Sequence, residues 1–466
     1  MPEGEALPAR GVRARLASAG ARAVALATHG VSIVFLLHAL GQAMRLGSSV
    51  VTTRLLGPET FGAVGITFSV AFTLALLSDI GVIPFLVRSK RDDAAFLGTL
   101  WLLRLARNIV LSAIMFVGAG VFASAMGAPE LKPAIEFFAL IFVLEAFATY
   151  GVVLAERRKQ VVRVSLVEFA HALFVTAATI IGAYFLRSYW AVLIALLLGV
   201  LFNVAASFAF FPREKMRFTI DREVAKDLWN FAKYILPASA ITLLLTQTDK
   251  IVMARFFPMS EVGVFYLAAT IALAVRSACD KYVTRVFYPL VAEGHRASEA
   301  DANRLYYGAR RRLFFALAFG VGGLIGGAEL LVRAVFDDRF LGAAPYLSLL
   351  SVATLLRLST FPAEQLFNAR GFTKGALYAN FARLAAVVVA GVAGFFLFGP
   401  MGAVVAINLA ELAALPVYWF HVRRFGALSL KEEGLMFAAA AAGAGLGFGL
   451  SFSARALIEA GLLPSF

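Results

Sequence analysis

The sequence predicts an all-α membrane protein that crosses the bilayer about 13 or 14 times. Of its 466 residues, 61% are hydrophobic and only 15% are charged, whereas a soluble domain has roughly 45–50% apolar and about 25% charged residues. The apolar residues form runs that are long enough to cross the bilayer, which takes about 20 helical residues. Because backbone polar groups in lipid must be satisfied within the segment, these runs are predicted to be helices.

The spanning segments can be placed in order along the chain. Each is an apolar run between more polar residues, and the thirteen predicted segments are 27–53, 62–86, 97–125, 134–154, 164–185, 191–210, 228–254, 263–289, 313–332, 345–369, 376–397, 403–420 and 435–451. The tail 454–466 is too short to cross roughly 30 Å of hydrocarbon, so it lies at the interface or forms an incomplete fourteenth helix. The first segment far exceeds the apolar core of a signal peptide, about 7–15 residues, and is predicted to be retained.

Basic residues are distributed unequally between the two predicted sides of the membrane. With the N-terminus inside, the cytoplasmic connectors contain 26 Lys and Arg residues and the opposite connectors contain 7. The positive-inside rule predicts this asymmetry, so the N-terminus is predicted to be cytoplasmic. The net charge of +14 therefore reflects topology and an affinity for anionic membrane lipids. No nucleic-acid partner is predicted, since that would need a contiguous soluble face.

The chain contains an internal repeat at an offset of 201 residues. The matches with most weight are an arginine at a helix end, a glycine opening the next helix and an acid inside that helix, at Arg54 and Arg255, Gly62 and Gly263, and Asp79 and Asp280. Equivalent segments are six helices apart, an even number, so the two halves have the same orientation, as in the parallel repeats of some transporters. We predict two pseudo-symmetric six-helix lobes over 1–215 and 216–421, followed by a thirteenth helix and short tail over 422–466.

Charged side chains inside the predicted spans are the candidate functional residues. Such groups cost about 2.5–3.5 kcal/mol each at membrane depth, so they usually face a cavity or a charged partner. Because guanidinium groups bind phosphate in a bidentate manner, we predict a central cationic cavity that binds an anionic headgroup through Arg45, Lys250, Arg276, Lys281, Arg285, Arg104, Arg357 and Arg383. The candidates for gating or ion coupling are the acids Asp79, Asp249, Asp280, Glu364 and Glu411.

Several of these residues also have a structural interpretation. Arg104 could extend to the cytoplasmic boundary, and the acids Asp79 and Asp280 could neutralise nearby cations and stabilise lobe packing. His171, near Glu168, is predicted to be a hydrogen-bonding residue at the membrane interface rather than a proton relay. Function is favoured over structure for the two deepest cations, Arg45 and Arg276.

Known catalytic and cofactor motifs are missing from the sequence. It contains neither a GxxxxGK[ST] phosphate loop nor an HExxH metal pair, so no ATP hydrolysis, metal or cofactor is predicted. Its single cysteine excludes an intramolecular disulfide. A membrane-embedded glycan polymerase or ligase would need a large outer loop with convergent polar residues, whereas the predicted outer connectors are short. The protein is therefore predicted not to be an enzyme.

Short motifs spread over segment 27–420 resemble those of a known family. They are Arg54-Leu-Leu-Gly-Pro-Glu-Thr-Phe-Gly62, Ser78-Asp79-Ile80-Gly81, Thr99-Leu-Trp101-Leu-Leu-Arg104, Asp249-Lys250, Gly263, Arg285-Val-Phe-Tyr-Pro289 and Asn368-Ala-Arg-Gly371. Together they are similar to the Wzx-type oligosaccharide flippases of the multidrug/oligosaccharidyl-lipid/polysaccharide exporter superfamily.

The resemblance implies a function and a substrate class. It implies two six-helix lobes around a central cavity, alternating access, and movement of a polyprenyl-diphosphate-linked oligosaccharide to the outer leaflet of a bacterial inner membrane. The implied partners are this lipid-linked substrate and the polymerase and assembly proteins of a cell-surface polysaccharide. Two alternatives in the superfamily are a murein-precursor flippase and a multidrug antiporter. A multidrug antiporter is expected to have an acidic, aromatic pocket for cations. The excess of Arg and Lys inside the predicted spans therefore disfavours this alternative.

Overall fold

The computed structural model describes residues 33–34, 36–211 and 219–459, and within these ranges the chain is helical with no strand. The first helix, α1, covers residues 36–55. The others are α2 Pro58–Leu77, α3 Val82–Arg88, α4 Ala94–Ala125, α5 Lys132–Ala146, α6 Gly151–Arg157, α7 Val161–Leu186, α8 Trp190–Ala209, α9 Arg222–Phe256, α10 Met259–Tyr282, α11 Tyr288–Ala297, α12 Glu299–Gly308, α13 Arg311–Val335, α14 Ala343–Ala369, α15 Thr373–Asn408, α16 Glu411–Arg424 and α17 Leu430–Glu459.

The helices account for the predicted membrane crossings. In the described ranges, ten helical stretches are long and apolar enough to span a bilayer, and the bent pair Pro129–Ala146 and Gly151–Arg157, with a bend of 56°, forms an eleventh. The helix over 36–55 is a twelfth span. A chain reversal divides the longest stretch, Lys374–Arg424, into two spans and so provides the thirteenth. Each of the thirteen predicted segments thus has a helical counterpart, which confirms the predicted fold class.

The reversal inside α15 depends on one glycine. Gly399 has φ 70° and ψ −166°, a backbone conformation that only glycine adopts readily, and Pro400 follows it. Gly394 precedes this break and Gly402 follows it, and a Cβ placed on Gly394 would lie 2.5 Å from the carbonyl oxygen of Gly402. Residues eight apart in a continuous helix are about 12 Å apart, so the chain turns back here. The eleventh and twelfth spans are therefore an antiparallel helical hairpin.

The two lobes meet along α2 and α10, the equivalent second helix of each repeat. A Cβ on Gly62 would lie 1.9 Å from the carbonyl oxygen of Met259, and a Cβ on Gly263 would lie 1.8 Å from that of Pro58. Residues 58 and 62 become 259 and 263 when 201 is added, so these two contacts are equivalent. A contact that repeats with its partners exchanged is the signature of a two-fold axis, as a parallel repeat requires.

The thirteenth span, α17, packs outside this arrangement on α13 of the C-terminal lobe. Glycines on both helices allow their backbones to touch: Gly322 faces the carbonyl of Ala440, and Gly443 faces that of Phe319. Such small-residue contacts are common between membrane helices. Residues 454–459 continue α17 rather than beginning a fourteenth helix. The start of the first predicted segment, the predicted lobe boundary at 215/216 and the end of the tail lie outside the described residues.

Candidate binding site between the two lobes

A cavity of about 300 Å³ lies where α1 of the N-terminal lobe meets α10 of the C-terminal lobe. We call it the polar cavity, and α7 and α8 complete its wall. Its charged and titratable lining residues are Arg45 and His38 from α1, Glu168 and His171 from α7, and Lys281 from α10. Two cations against one carboxylate leave it net positive when the histidines are neutral.

Hydrogen bonds between α1 and α10 position the cations of the polar cavity. The Nζ of Lys281 lies 2.7 Å from Nδ1 of His38. Nε of Arg45 donates to Oε1 of Gln42 at 2.7 Å, and Nε2 of Gln42 donates to Oγ of Ser277 at 2.6 Å. The guanidinium of Arg45 is therefore held through Gln42 against the opposite lobe, while its side chain remains exposed.

A third cation, Arg285, lies one helical turn beyond Lys281. It is exposed and close enough to interact electrostatically with both Lys281 and His38. Arg285 belongs to a π-helical segment, Val283–Phe287, that interrupts the eighth span. Such π-helical turns occur frequently at functional sites. Of the eight predicted binding cations, Arg45 and Lys281 line the polar cavity and Arg285 lies near it.

An apolar opening of about 380 Å³ adjoins the polar cavity. We call it the apolar cleft, and it runs between α1 and α10 with His38 in both walls. Apart from Gln42, its other lining residues are small or aliphatic: Ala39, Ala43, Leu46, Ala274, Val275 and Ala278. A charged compartment thus adjoins one that suits hydrocarbon.

The C-terminal lobe contains a second group of charges, which we call the C-lobe charge network. Asp280 accepts a hydrogen bond from Nε of Arg357 at 3.3 Å and pairs with Nε of Arg276 at 3.7 Å. Glu411 pairs with Nη2 of Arg383 at 3.0 Å and with Nη1 of Arg357 at 4.0 Å. These pairs connect α10, α14, α15 and α16. Three arginines predicted to bind substrate are therefore already paired with two of the predicted coupling acids.

Two further predicted site residues lie at breaks in spanning helices. Oδ1 of Asp79 accepts a hydrogen bond from the backbone N–H of Gly81 at 2.9 Å, in the turn between α2 and α3. Nη2 of Arg104 donates to the carbonyl of Ala146 at 3.0 Å and to that of Ala148, between α5 and α6. A broken helix leaves backbone groups without partners, and in lipid these must be satisfied by protein. Both side chains thus bond to the backbone at these breaks, and neither lines the polar cavity.

The remaining predicted residues also bond locally. Nζ of Lys250 donates to the carbonyl of Thr246 at 2.6 Å and lies 3.5 Å from Oδ1 of Asp249. Glu364 accepts a hydrogen bond from the Tyr418 hydroxyl at 3.1 Å. The predicted single chamber is thus divided into the polar cavity, the C-lobe charge network and these local sites. In the described ranges, no group of three or more His, Cys, Asp or Glu side chains could hold a metal ion.

Comparison with known proteins assigns the chain to a family. The family model described as "Polysaccharide biosynthesis protein" matches residues 51–345, which is more than half of the sequence. The chain belongs to this polysaccharide biosynthesis family.

Two proteins named for polysaccharide biosynthesis or transport are distant relatives of this chain. Lipopolysaccharide biosynthesis protein WzxC of Escherichia coli (strain K12) is 24% identical over 359 residues, which are 73% of this chain and 70% of WzxC. Succinoglycan biosynthesis transport protein ExoT of Rhizobium meliloti (strain 1021) is 23% identical over 319 residues, 67% of this chain and 63% of ExoT. The family predicted from the sequence motifs is therefore confirmed.

The fold of this family member is similar to a solved structure, "Lipid II flippase MurJ, inward closed conformation". The TM-score is 0.65 with 13% sequence identity, and the match covers 89% of this chain and 90% of the MurJ chain. At this identity the likeness concerns the fold alone.

Sequence reasoning missed His38 and did not place two other lining residues, Glu168 and His171, in a cavity of this polysaccharide biosynthesis protein. His38 precedes Arg45 by seven residues, two helical turns, so both lie on one face of α1. That spacing could have identified His38 from the sequence. His171 was predicted to be a hydrogen-bonding residue near Glu168 at the membrane interface. In the structure both residues line the polar cavity, and only the packing of α7 against α1 reveals this.

Proposed function

We propose that this polysaccharide biosynthesis protein is a flippase for a polyprenyl-diphosphate-linked oligosaccharide. It moves this substrate by alternating access from the cytoplasmic to the outer leaflet of a bacterial inner membrane, where polymerase and assembly proteins use it. The observation that carries the proposal is the polar cavity, whose cations Arg45 and Lys281 come from different lobes. A group bound between them can respond to a change in the separation of the lobes.

The chemistry of the two openings matches the two parts of such a substrate. A diphosphate presents several anionic oxygens, which Arg45, Lys281 and the nearby Arg285 can bind by charge-assisted hydrogen bonds. The adjoining apolar cleft between α1 and α10 gives the polyprenyl chain a lateral route to the bilayer. Only the headgroup and glycan then need a polar path.

The proposed topology makes the cavity accessible for loading. With the N-terminus inside, His38 and Lys281 lie in the cytoplasmic halves of α1 and α10, while Gly62 and Gly263 lie near the outer ends of their helices. The close contacts of Gly62 with Met259 and of Gly263 with Pro58 close the outer side. This arrangement suits uptake of a substrate from the cytoplasmic leaflet.

The test is transport by charge-removing variants. Arg45→Met and Lys281→Met are expected to reduce surface polysaccharide in a complementation assay by roughly tenfold or more each, because a hydrogen bond to a charged group contributes about 1.5–3 kcal/mol. Membrane levels should be unchanged. Lys132→Met, which removes an exposed lysine that lines neither the polar cavity nor the apolar cleft, is the control and should remain active.

Two results would contradict this function. Full export by the Arg45→Met, Lys281→Met double variant would remove the proposed site. Efflux of a cationic dye from proteoliposomes would favour the multidrug antiporter, although a net cationic cavity repels such a substrate. A murein precursor also contains a diphosphate, so transport assays with the two lipid-linked glycans distinguish those flippases.

A further inference from the structure

His38 occupies an unusual position for a histidine, because most of the charged groups around it are cations. On its own helix Arg45 lies two turns away, and α10 and the π-helical segment contribute Lys281 and Arg285. From α7, Glu168 and His171 face the same cavity. Three cations and one carboxylate therefore surround the imidazole of His38.

The hydrogen bonds of His38 define which nitrogen carries the proton. An ammonium group is a donor only, so Nζ of Lys281 donates to Nδ1 of His38 across 2.7 Å. Nδ1 is then the acceptor, and the proton of the neutral ring is on Nε2. Nε2 is buried and has no hydrogen-bond partner in the part of the chain that the structure describes. The imidazole of His38, a residue that lines the cavity, therefore has a buried donor that lacks an acceptor.

We propose that His38 takes up a proton when a diphosphate group enters the polar cavity. Phosphate oxygens accept the unused Nε2–H and attract the ammonium of Lys281. Once Lys281 donates to phosphate, Nδ1 is free to bind a proton from the aqueous phase. The resulting imidazolium adds one positive charge beside the anion. This inference rests on the proposed function and assigns His38 as a proton-linked binding residue of the same site.

Linkage gives the sign of the pH dependence. Since the complex holds more protons than the empty protein, binding of the diphosphate must strengthen as the pH falls, by at most about tenfold per pH unit for one proton. In the empty cavity His38 returns to the neutral form, which lowers the repulsion among Arg45, Lys281 and Arg285. His38 thus carries a positive charge only while the diphosphate is bound.

The experiment is titration calorimetry of the full-length protein in nanodiscs with farnesyl diphosphate. Measurements at about pH 7.5, where a phosphate monoester is mostly dianionic, in buffers of different ionisation enthalpy count the protons exchanged. The wild type should take up close to one proton more than His38→Asn. Asparagine keeps an acceptor for Lys281 but does not titrate. His421→Asn, a histidine substitution on α16 away from the cavity, should exchange protons as the wild type does.

The outcomes separate this inference from the proposed function. If farnesyl diphosphate does not bind to the wild type, the proposed function fails. If it binds and His38→Asn exchanges the same number of protons, the function stands and the role of His38 is overturned. Inorganic pyrophosphate in place of farnesyl diphosphate identifies the source: equal proton uptake means that a free diphosphate suffices, and uptake with the farnesyl compound alone means a lipid headgroup. Either supports His38, provided that His38→Asn abolishes the uptake.

Discussion

Gly65 contacts Tyr266, its own equivalent in the 201-residue repeat. A Cβ on Gly65 would lie 2.3 Å from the Tyr266 ring, and the Tyr266 hydroxyl shares a hydrogen bond with Ser69. Equivalent residues can meet only on the axis that relates them, so the pseudo-two-fold axis passes between these two side chains. At this position the two lobes differ in side-chain size. Gly65 of the N-terminal lobe leaves the space that the Tyr266 ring of the C-terminal lobe fills.

The close contacts beside this axis should not tolerate a methyl group. Gly62→Ala and Gly263→Ala each place a Cβ under 2 Å from a backbone carbonyl of the other lobe, which cannot rotate away. Overpacking of this kind costs about 1–3 kcal/mol, so each variant should lower the unfolding temperature of the detergent-solubilised protein. Gly445→Ala on α17 meets nothing within 4 Å and serves as the control. Unchanged thermal stability of both interface variants would show that the lobes do not pack in this way.

The polar cavity and the C-lobe charge network should respond differently to charge removal. Arg357→Met leaves Asp280 and Glu411 with fewer partners in a mostly buried site. This variant is therefore expected to lower the free energy of unfolding by about 3 kcal/mol and, with it, the melting temperature. Lys281→Met releases only the His38 ring and should reduce diphosphate binding with little change in thermal stability. A paired measurement of melting temperature and farnesyl diphosphate affinity distinguishes the two, and the reverse pattern would exchange the assigned roles.

A buried ion pair attaches the thirteenth span to the C-terminal lobe. Nη1 of Arg310 lies 2.9 Å from Oε1 of Glu433, with side chains 3% and 1% exposed, and Ser359 also donates to Glu433 at 2.7 Å. Removal of one buried partner leaves an uncompensated charge at a cost of about 3–5 kcal/mol.

Glu433→Gln and Arg310→Met are therefore both expected to destabilise the protein strongly. The double variant Arg310→Met, Glu433→Met should recover part of the loss, because no unpaired charge remains. The control is Arg304→Ala, whose pair with Asp301 is on the surface and should contribute under about 1 kcal/mol. Thermal unfolding measures all four variants, and a double variant less stable than either single one would contradict this account.

A surface cluster around Arg91 predicts that the stability of the protein depends on pH. Nε of Arg91 lies 2.9 Å from Asp93, the N-cap of α4, and Nη2 lies 3.2 Å from Asp221, the N-cap of α9. The hydrogen bond from Arg91, followed by that from the backbone N–H of Phe96, lowers the pKa of Asp93 from 3.8 to about 2. Because the folded pKa lies below the ordinary value, this contribution to stability is present above about pH 4 and is lost as the pH falls towards 2.

The variant Asp93→Asn keeps a cap acceptor but lacks the charge. It should be less stable than the wild type by under about 1 kcal/mol near neutral pH, and the difference should shrink as the pH falls below about 4. Melting temperatures across this pH range provide the measurement. Asp227→Asn, at an exposed position on α9, is the control. A difference that grows on acidification would mean that the carboxylate of Asp93 is not stabilised by Arg91.

Much of the fold could be predicted because membrane insertion imposes simple rules on sequence. Apolar runs of sufficient length become helices, and equal spacing of Gly62 and Gly263 in the two halves indicated their symmetry. The helix breaks at Asp79 and Gly399 were harder to predict, since they depend on a local turn inside an apolar run. The binding site was the hardest part to predict. Asp280 and Lys281 are neighbours in sequence, yet on α10 successive side chains point about 100° apart, so one enters the C-lobe charge network and the other the polar cavity.

The sequence by itself determined the class of protein, the order of its spans, their repeat and the family, because hydropathy, charge asymmetry and short motifs are local properties of the chain. Only the tertiary structure decided which of the intramembrane charges remain available. Arg357 and Arg383 are as basic as Arg45, but helix packing places them against the carboxylates of Asp280 and Glu411 and leaves Arg45 beside an open cavity. The physical reason is that the nearest partner of a charged side chain inside a membrane protein determines whether that charge is available to bind a ligand. That partner is usually on another helix.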